Sequence, residues 1–453
     1  MSQTGGAEAR EIPEPKGHWL TGHMRPARER PLSYLLEITR QHGDIVKLRL
    51  GPQRMVLVNS PEHVKHVLQE KQSRYGRPAF VALMRRAVGN GLLFSEGDVW
   101  LRQRRILQPT FHRERIAGFA AIMARAVSER VALWRARERS PLDLTRELEQ
   151  LTFEIVGRAL FASDLSSEAR ELGDAIVTTL RWLNERTLRP LAAPLFVPTR
   201  DNRSYRAAQR TFARTIQRML DERRHAAADG GDLLSMLLAA RDAETGHGMS
   251  DRQLRDEVLT FLIAGYETTS AALSWALILL AQHPEVAAKV RAEQRRVCGE
   301  RPPRPEDLAN MRFSRAVIDE VLRLYPPVFG LQRRATEDDT LAGHRIAKGS
   351  ALLISPYALH RNPTLWRDPD AFDPERFVAE REQPQRSRFA YIPFGAGARQ
   401  CIGNAFALME LQVLVPTLVA AFDLELDPSA DITPDPRMTL RPRGPVTMRV
   451  RAL

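Results

Sequence analysis

The run Phe394-Gly395-Ala396-Gly397-Ala398-Arg399-Gln400-Cys401-Ile402-Gly403 leads directly into the apolar helical pattern Ala405-Phe406-Ala407-Leu408. No other stretch constrains this chain as much. Gly395 and Gly397 permit a tight turn, a cysteine follows the turn, and a helix begins behind it. Backbone N–H groups at a helix N-terminus favour an anionic sulfur. The pattern therefore suits a thiolate held at a helix start. An isolated cysteine is more often a small buried hydrophobe, but the glycine spacing and Arg399 two residues upstream favour the thiolate. A dinucleotide-binding reading of Gly395-x-Gly397 fails, because Gln400 holds the third glycine position and no β-branched strand precedes the run.

The run resembles the haem-binding signature of the cytochrome P450 family, Phe-x-x-Gly-x-Arg-x-Cys-x-Gly, at every fixed position from Phe394 to Gly403. The resemblance implies a mainly α fold with a small β region, and haem b (iron protoporphyrin IX) as cofactor. It makes Cys401 the iron ligand, and a thiolate in that place favours O–O cleavage. Arg399 suits a carboxylate on the macrocycle's edge, and Gly403 leaves no side chain against its flat face.

A second constellation lies in Val258–Ala281, which is apolar nearly all round, as a helix buried in a large protein must be. Its middle reads Ala264-Gly265-Tyr266-Glu267-Thr268-Thr269. Glycine in mid-helix costs about 1 kcal/mol against alanine. Thr268 lies four residues beyond Ala264, so its hydroxyl can bond that carbonyl and loosen the ladder. The segment is similar to the family's oxygen-activating helix, which implies that Glu267 and Thr268 deliver protons.

Two further segments gain meaning from the resemblance. Glu320-Val321-Leu322-Arg323 looks like a surface i, i+3 pair. With Pro374-Glu375-Arg376-Phe377 downstream, it resembles the family's structural triad, here Glu320, Arg323 and Arg376. Trp100 and Arg104 fall on one helical face, with Arg102 and Arg105 on the other. The family implies that Trp100, Arg104 and Arg333 hold the haem propionates. His360 reads as a hydrogen-bonded structural residue. Substrate contacts implied by resemblance are Phe80, Leu83, Val88 and Phe94 in the loop before Trp100. Phe261 and Ala264 on the central helix, Val328 and Phe329 after two prolines, and Met438 complete the set. They are apolar, so the substrate should be too.

The net charge of +12, from 67 basic and 55 acidic residues, is almost all arginine. No basic run is interleaved with aromatics, so nucleic acid is not expected. An acidic protein partner fits better. Two cysteines exclude a disulfide framework and suit a reducing cytoplasm. Cys298 reads as an ordinary surface or loop thiol. The N-terminus carries no secretory pattern, and the longest apolar run, Leu273–Ala281, is too short to span a bilayer. Residues 1–18 read as a flexible leader and 19–453 as one haem domain, with loops at Pro194–Thr199 and Asp242–Gly248.

The resulting expectation is a cytoplasmic, monomeric haem-thiolate monooxygenase. It inserts one atom of O2 into an apolar molecule, with a fatty acid ranked first and a terpenoid or other secondary-metabolite intermediate close behind. Too few cysteines are present for an iron–sulfur cluster and no reductase region is seen. Electrons should therefore come from a ferredoxin and its reductase. The rivals are a peroxide-using peroxygenase or isomerase of the same fold, and a non-catalytic haem or ligand sensor. Neither needs the intact Glu267-Thr268 pair.

Overall fold

The structure is a computed structural model that describes residues 10–162, 168–188, 193–225, 232–241, 246, 248–382 and 386–453. Most of the Asp242–Gly248 loop and the first nine residues lie outside that set. Its contacts divide the chain into two compact units, 1–79 with 319–401, and 80–318 with 402–453. Helices dominate and the strands are short, the mainly α architecture expected.

The first unit is built on a five-stranded sheet. Ile45–Leu50 and Gln53–Val58 form an antiparallel hairpin turned by Gly51 at φ 62°. Gln53–Val58 then pairs in parallel with Ala351–Ile354, from nearly three hundred residues downstream. Leu331–Ala335 and Tyr75–Gly76 complete the sheet. Val56, Val58, Leu352 and Ile354 are buried in one cluster with Val64 and Val67 from the segment behind the second strand. Ser60 caps the helix Pro61–Lys65 by accepting from the His63 N–H. Residues 10–18, expected to be loose, are fastened here: Arg10 N–H donates to Gly343 O at 2.9 Å, and Lys47 N–H donates to Pro13 O at 2.8 Å. Lys47 also pairs with Glu14 at 2.9 Å. A short polar segment reads as a leader by composition; these backbone bonds to distant strands are what composition omits.

Arg323 and Glu320 sit in this unit with no exposure, joined by two bonds of 2.7 and 2.8 Å. Arg376 Nε donates to Glu320 Oε1 at 3.1 Å. The remaining guanidinium protons of Arg323 go to the carbonyls of His360, Pro369 and Ala371. The helix pair is therefore a buried network, not a surface pair. His360 is neutral, its pKa pushed down to about 3 by burial and by the Arg323 charge. It donates through Nδ1 to Arg323 O and accepts at Nε2 from the Ile392 N–H.

The second unit is a helical body around Asp251–Gln282, a helix of 32 residues capped by Ser250. Leu144–Phe161 packs along it, with Thr152 donating to Tyr266 O. Asn404–Ala421 and the small sheet Leu142–Asp143, Thr447–Ala452, Phe422–Leu426 close other sides. Gly265 has a packing reason: a Cβ there would lie 2.9 Å from Val156 Cγ2, so the glycine lets the neighbouring helix approach. Among the described residues, Asp251–Gln282 and Asn404–Ala421 are long and apolar enough to cross a membrane by composition. Their apolar stretches are 83% and 61% buried inside the protein, which explains that composition. Cys298 is no surface thiol. It ends the helix Pro284–Cys298, is 7% exposed and lies 3.8 Å from Met311 Sδ. Burial pushes its pKa up to about 11.

Replacing Glu320 by glutamine should leave the fully buried Arg323 guanidinium without its counter-charge. Such a loss costs about 3–5 kcal/mol. The shift in urea midpoint measures it, and a change below about 1 kcal/mol would show that the charge is dispensable.

Candidate functional site

In the first unit the cysteine loop is a folded object. The Gly395 N–H donates to Ile392 O at 3.0 Å, and the Cys401 N–H returns to Phe394 O at 2.9 Å. Gly397–Arg399 forms one 3₁₀ turn. Gly395 and Gly397 take φ of 69° and 70°, where only glycine is unstrained. A Cβ on Gly397 would fall 1.7 Å from Leu68 O, so no other residue fits against that carbonyl. Phe394 and Arg399 are half-buried, while Cys401 is exposed. Gly403 caps the helix that starts at Asn404, so Cys401 precedes the helix by three residues.

Arg333 lies on the strand Leu331–Ala335, beside this loop: Leu331 Cδ1 is 3.9 Å from where a Gly395 Cβ would be. It is 9% exposed, yet its one hydrogen bond among the described residues goes to the adjacent Gln332 O. Burial, reinforced by the nearby Arg77, pushes its pKa down to about 10. A buried guanidinium facing another cation and, among the described residues, no acid calls for an anion from outside the chain. A haem propionate meets that demand, and the exposed thiol of Cys401 meets the need for an axial sulfur. The residues of this unit fit haem. Arg77 is the member that sequence reading missed; its only sequence signal is its place directly after the edge strand Tyr75–Gly76.

In the second unit the expected back-bond is present: Thr268 Oγ1 donates to Ala264 O at 2.6 Å. The helix is buried through most of its length, but Ala264, Gly265 and Thr268 are half-buried along one strip. Glu267 points elsewhere. It is 8% exposed, and its Oε1 accepts from the Thr439 hydroxyl at 3.0 Å. Its Oε2 is buried with no partner among the described residues. Burial raises its pKa, against the Thr439 bond and the Arg441 charge. Thr439 and Arg441 come from the C-terminal hairpin, 172 and more residues away, and no local pattern announces them. Glu410, buried on the helix behind the cysteine, is held well above the carboxylate range by desolvation, opposed by Thr269.

The remaining expected residues divide. Trp100 and Arg104 are half-buried on the helix Gly97–Leu107. Arg102 does not share an exposed basic face with Arg105: its Nη2 donates to Gln253 Oε1 at 3.1 Å. It adjoins the buried Gln103, one step round the helix, which turns it toward the central helix. Arg105 alone of that pair is exposed. Leu83 and Val88 lie on a helix, Val81–Val88, where a loop was expected. Val88 and Phe94 are buried, and Phe261 is stacked on Phe111 with ring centroids 5.4 Å apart. Phe80, Val328 and Met438 are exposed at 36%, 39% and 36%, and Phe329 is half-buried.

The sequence profile of the cytochrome P450 family matches residues 12–449. The chain is 37% identical over 437 residues to cyclooctatin synthase of Streptomyces melanosporofaciens, covering 96% of this chain and 94% of that one. It is 36% identical over 414 residues to cyclooctat-9-en-7-ol 5-monooxygenase of the same organism, covering 91% and 89%. It is 31% identical over 416 residues to pentalenene oxygenase of Streptomyces avermitilis, covering 92% and 91%. With a thiol-bearing loop and a buried unneutralised arginine already fitted to haem, the conclusion follows: this chain belongs to the cytochrome P450 family, and is a haem b monooxygenase of apolar molecules.

Proposed function

We propose that the substrate is a terpenoid, and that one of its carbon–hydrogen bonds is hydroxylated. The observation that carries this reading is similarity over nine-tenths of the chain to relatives named for acting on cyclooctat-9-en-7-ol and pentalenene. The buried Val88, Phe94 and Phe261 offer only hydrocarbon, which suits such a molecule. A fatty acid, ranked first on sequence, comes second. The catalytic domain in this reading is residues 19–453, and the electron donor is a separate ferredoxin with its reductase.

Haem, when bound, supplies the activation of O2. Cys401 supplies its thiolate, and Arg333 with Trp100 and Arg104 holds its acid groups. Burial disfavours the Glu267 anion and raises its pKa, which favours holding a proton. Thr268 Oγ1, its own proton given to Ala264 O, has lone pairs left to accept one and pass it on. The half-buried strip of Ala264, Gly265 and Thr268 is where substrate would lie against the helix.

Titrating cyclooctat-9-en-7-ol, pentalenene and a long-chain fatty acid against the Soret band tests the substrate class. The terpenoids should shift it at lower concentration, and a preference for the fatty acid would reverse the assignment. In the reduced protein with carbon monoxide, Cys401→His should abolish the thiolate-specific band while Cys298→Ser retains it. A histidine-type band in the unmodified protein would refute the ligand. Thr268→Ala should retain substrate-induced shifts but lower product formed per electron by roughly tenfold or more, the balance appearing as peroxide. Unchanged coupling would remove the proton-passing role.

A further inference from the structure

The segment between the helices Val81–Val88 and Gly97–Leu107 is fastened to the central helix by two acids. The Asn90 N–H donates to Asp256 Oδ2 at 2.8 Å, and the Leu92 N–H donates to Glu257 Oε2 at 2.9 Å. Gly89 turns the chain at φ 91°. Gly91 lies so close that a Cβ would meet Thr260 Oγ1 at 2.2 Å and Asp256 O at 2.6 Å. Beyond the clamp, the Phe94 and Ser95 N–H groups both return to Gly91 O. Gln103 Nε2 donates to Asn90 O at 2.9 Å, and Tyr205 Oη donates to Ala87 O at 3.3 Å. Each anchored residue is next to, or two from, a side chain assigned above to substrate: Val88 on one side, Phe94 on the other.

We infer that Glu257 is a positioning residue for substrate, its side chain latching Gly89–Phe94 onto the central helix so that Val88 and Phe94 present one fixed apolar surface. The inference rests on the reading that those two side chains meet substrate. Glu257 has no exposure, and its Oε1 has no partner among the described residues. An isolated acid gains nothing from such a place. It is used here as a hydrogen-bond acceptor, and a protonated carboxyl can serve. The charged groups around it are few. Asp256 adjoins it on the helix and Arg252 acts on Asp256. Arg102, from the helix Gly97–Leu107, is held by Gln253 one turn away.

The latch therefore depends on pH. Burial first, with the Asp256 charge adding to it and the Leu92 bond opposing, pushes the Glu257 pKa up to about 8 from an ordinary 4.5. With the segment lifted and the carboxyl wet, the ordinary value returns. The latched form holds more protons across that interval, so its advantage is full below about 4.5 and declines until about 8. Above that it is constant.

Amide exchange at Leu92 in the haem-loaded, substrate-free protein reads the latch directly. From pH 6 to pH 8, the protection factor should fall by more than about tenfold, the linkage limit being tenfold per pH unit. Glu257→Gln keeps an acceptor oxygen but cannot ionise, so its protection factor should be the same at both pH values. Glu257→Leu should weaken cyclooctat-9-en-7-ol binding at pH 7 by about tenfold or more, the size of one lost buried hydrogen bond, and broaden the set of hydroxylated products. Protection that ignores pH in the unmodified protein, or falls equally in Glu257→Gln, overturns the latch, even if the leucine variant fails to fold. Phe94→Ala separates the two readings. If it weakens binding while Glu257→Leu does not, only the positioning role is wrong. If Phe94→Ala leaves binding unchanged, the substrate assignment fails and the role falls with it.

Discussion

Arg323 carries a full charge at zero exposure, and the first unit is organised around satisfying it. Taking a guanidinium out of water costs several kcal/mol unless its donors are paired. Glu320 takes two of them, and three backbone carbonyls take others. Those carbonyls belong to residues 360, 369 and 371, so one side chain fixes segments far apart in sequence. Glu320 Oε1 also accepts from the Asp373 N–H and Arg376 Nε. His360 passes the constraint on, since its ring bridges Arg323 O and the Ile392 N–H at the entrance to the cysteine loop. Tyr391, next in line, donates to Asp319 O and packs its ring against Phe377 and His360. The loop's shape is thus set by a buried charge some seventy residues upstream, and its glycines only permit that shape.

The second unit uses buried acids differently. Glu257, Glu267 and Glu410 all lose solvent without gaining a cation that outweighs the loss, and the pKa of each rises. A core helix that avoided acids would be more stable by the desolvation cost. Their retention marks places where a carboxyl does something a leucine cannot: accepting a backbone N–H at Leu92, or accepting from the Thr439 hydroxyl.

How much of this was legible depended on whether the determining partner was local. The glycine turn, the helix start behind Cys401 and the Thr268 back-bond to Ala264 are events within ten residues, and the sequence pattern contains them. The hairpin Ile45–Leu50 with Gln53–Val58 is local as well. The parallel pairing of Met55 with Ala351 is not, and neither is Thr439 reaching Glu267. Composition made residues 10–18 look loose, because their backbone bonds leave no trace in side-chain chemistry. Cys298 was misread for a related reason. The basic stretch before it forms the wet face of its helix, but the last turn rotates the thiol inward onto Met311. Glu320-Arg323 was ambiguous on spacing, and only the family pattern, including Arg376, turned it inward.

The surplus of positive charge bears on electron delivery, since a separate redox partner must approach this chain. A large net charge does not define where. At physiological salt the Debye length is about 8 Å, so charges farther than that from a docking surface are largely screened. Many arginines are locally compensated, as in Arg218 with Glu168 and Glu222, or Arg74 with Glu337 and Asp339. Arg102 leaves the set by turning to Gln253, while Arg105 and Arg115 stay exposed on consecutive helices. What steers a charged partner is the uncompensated remainder within one screening length of the contact, not the sum over the chain. The count of +12 therefore overstates the local field.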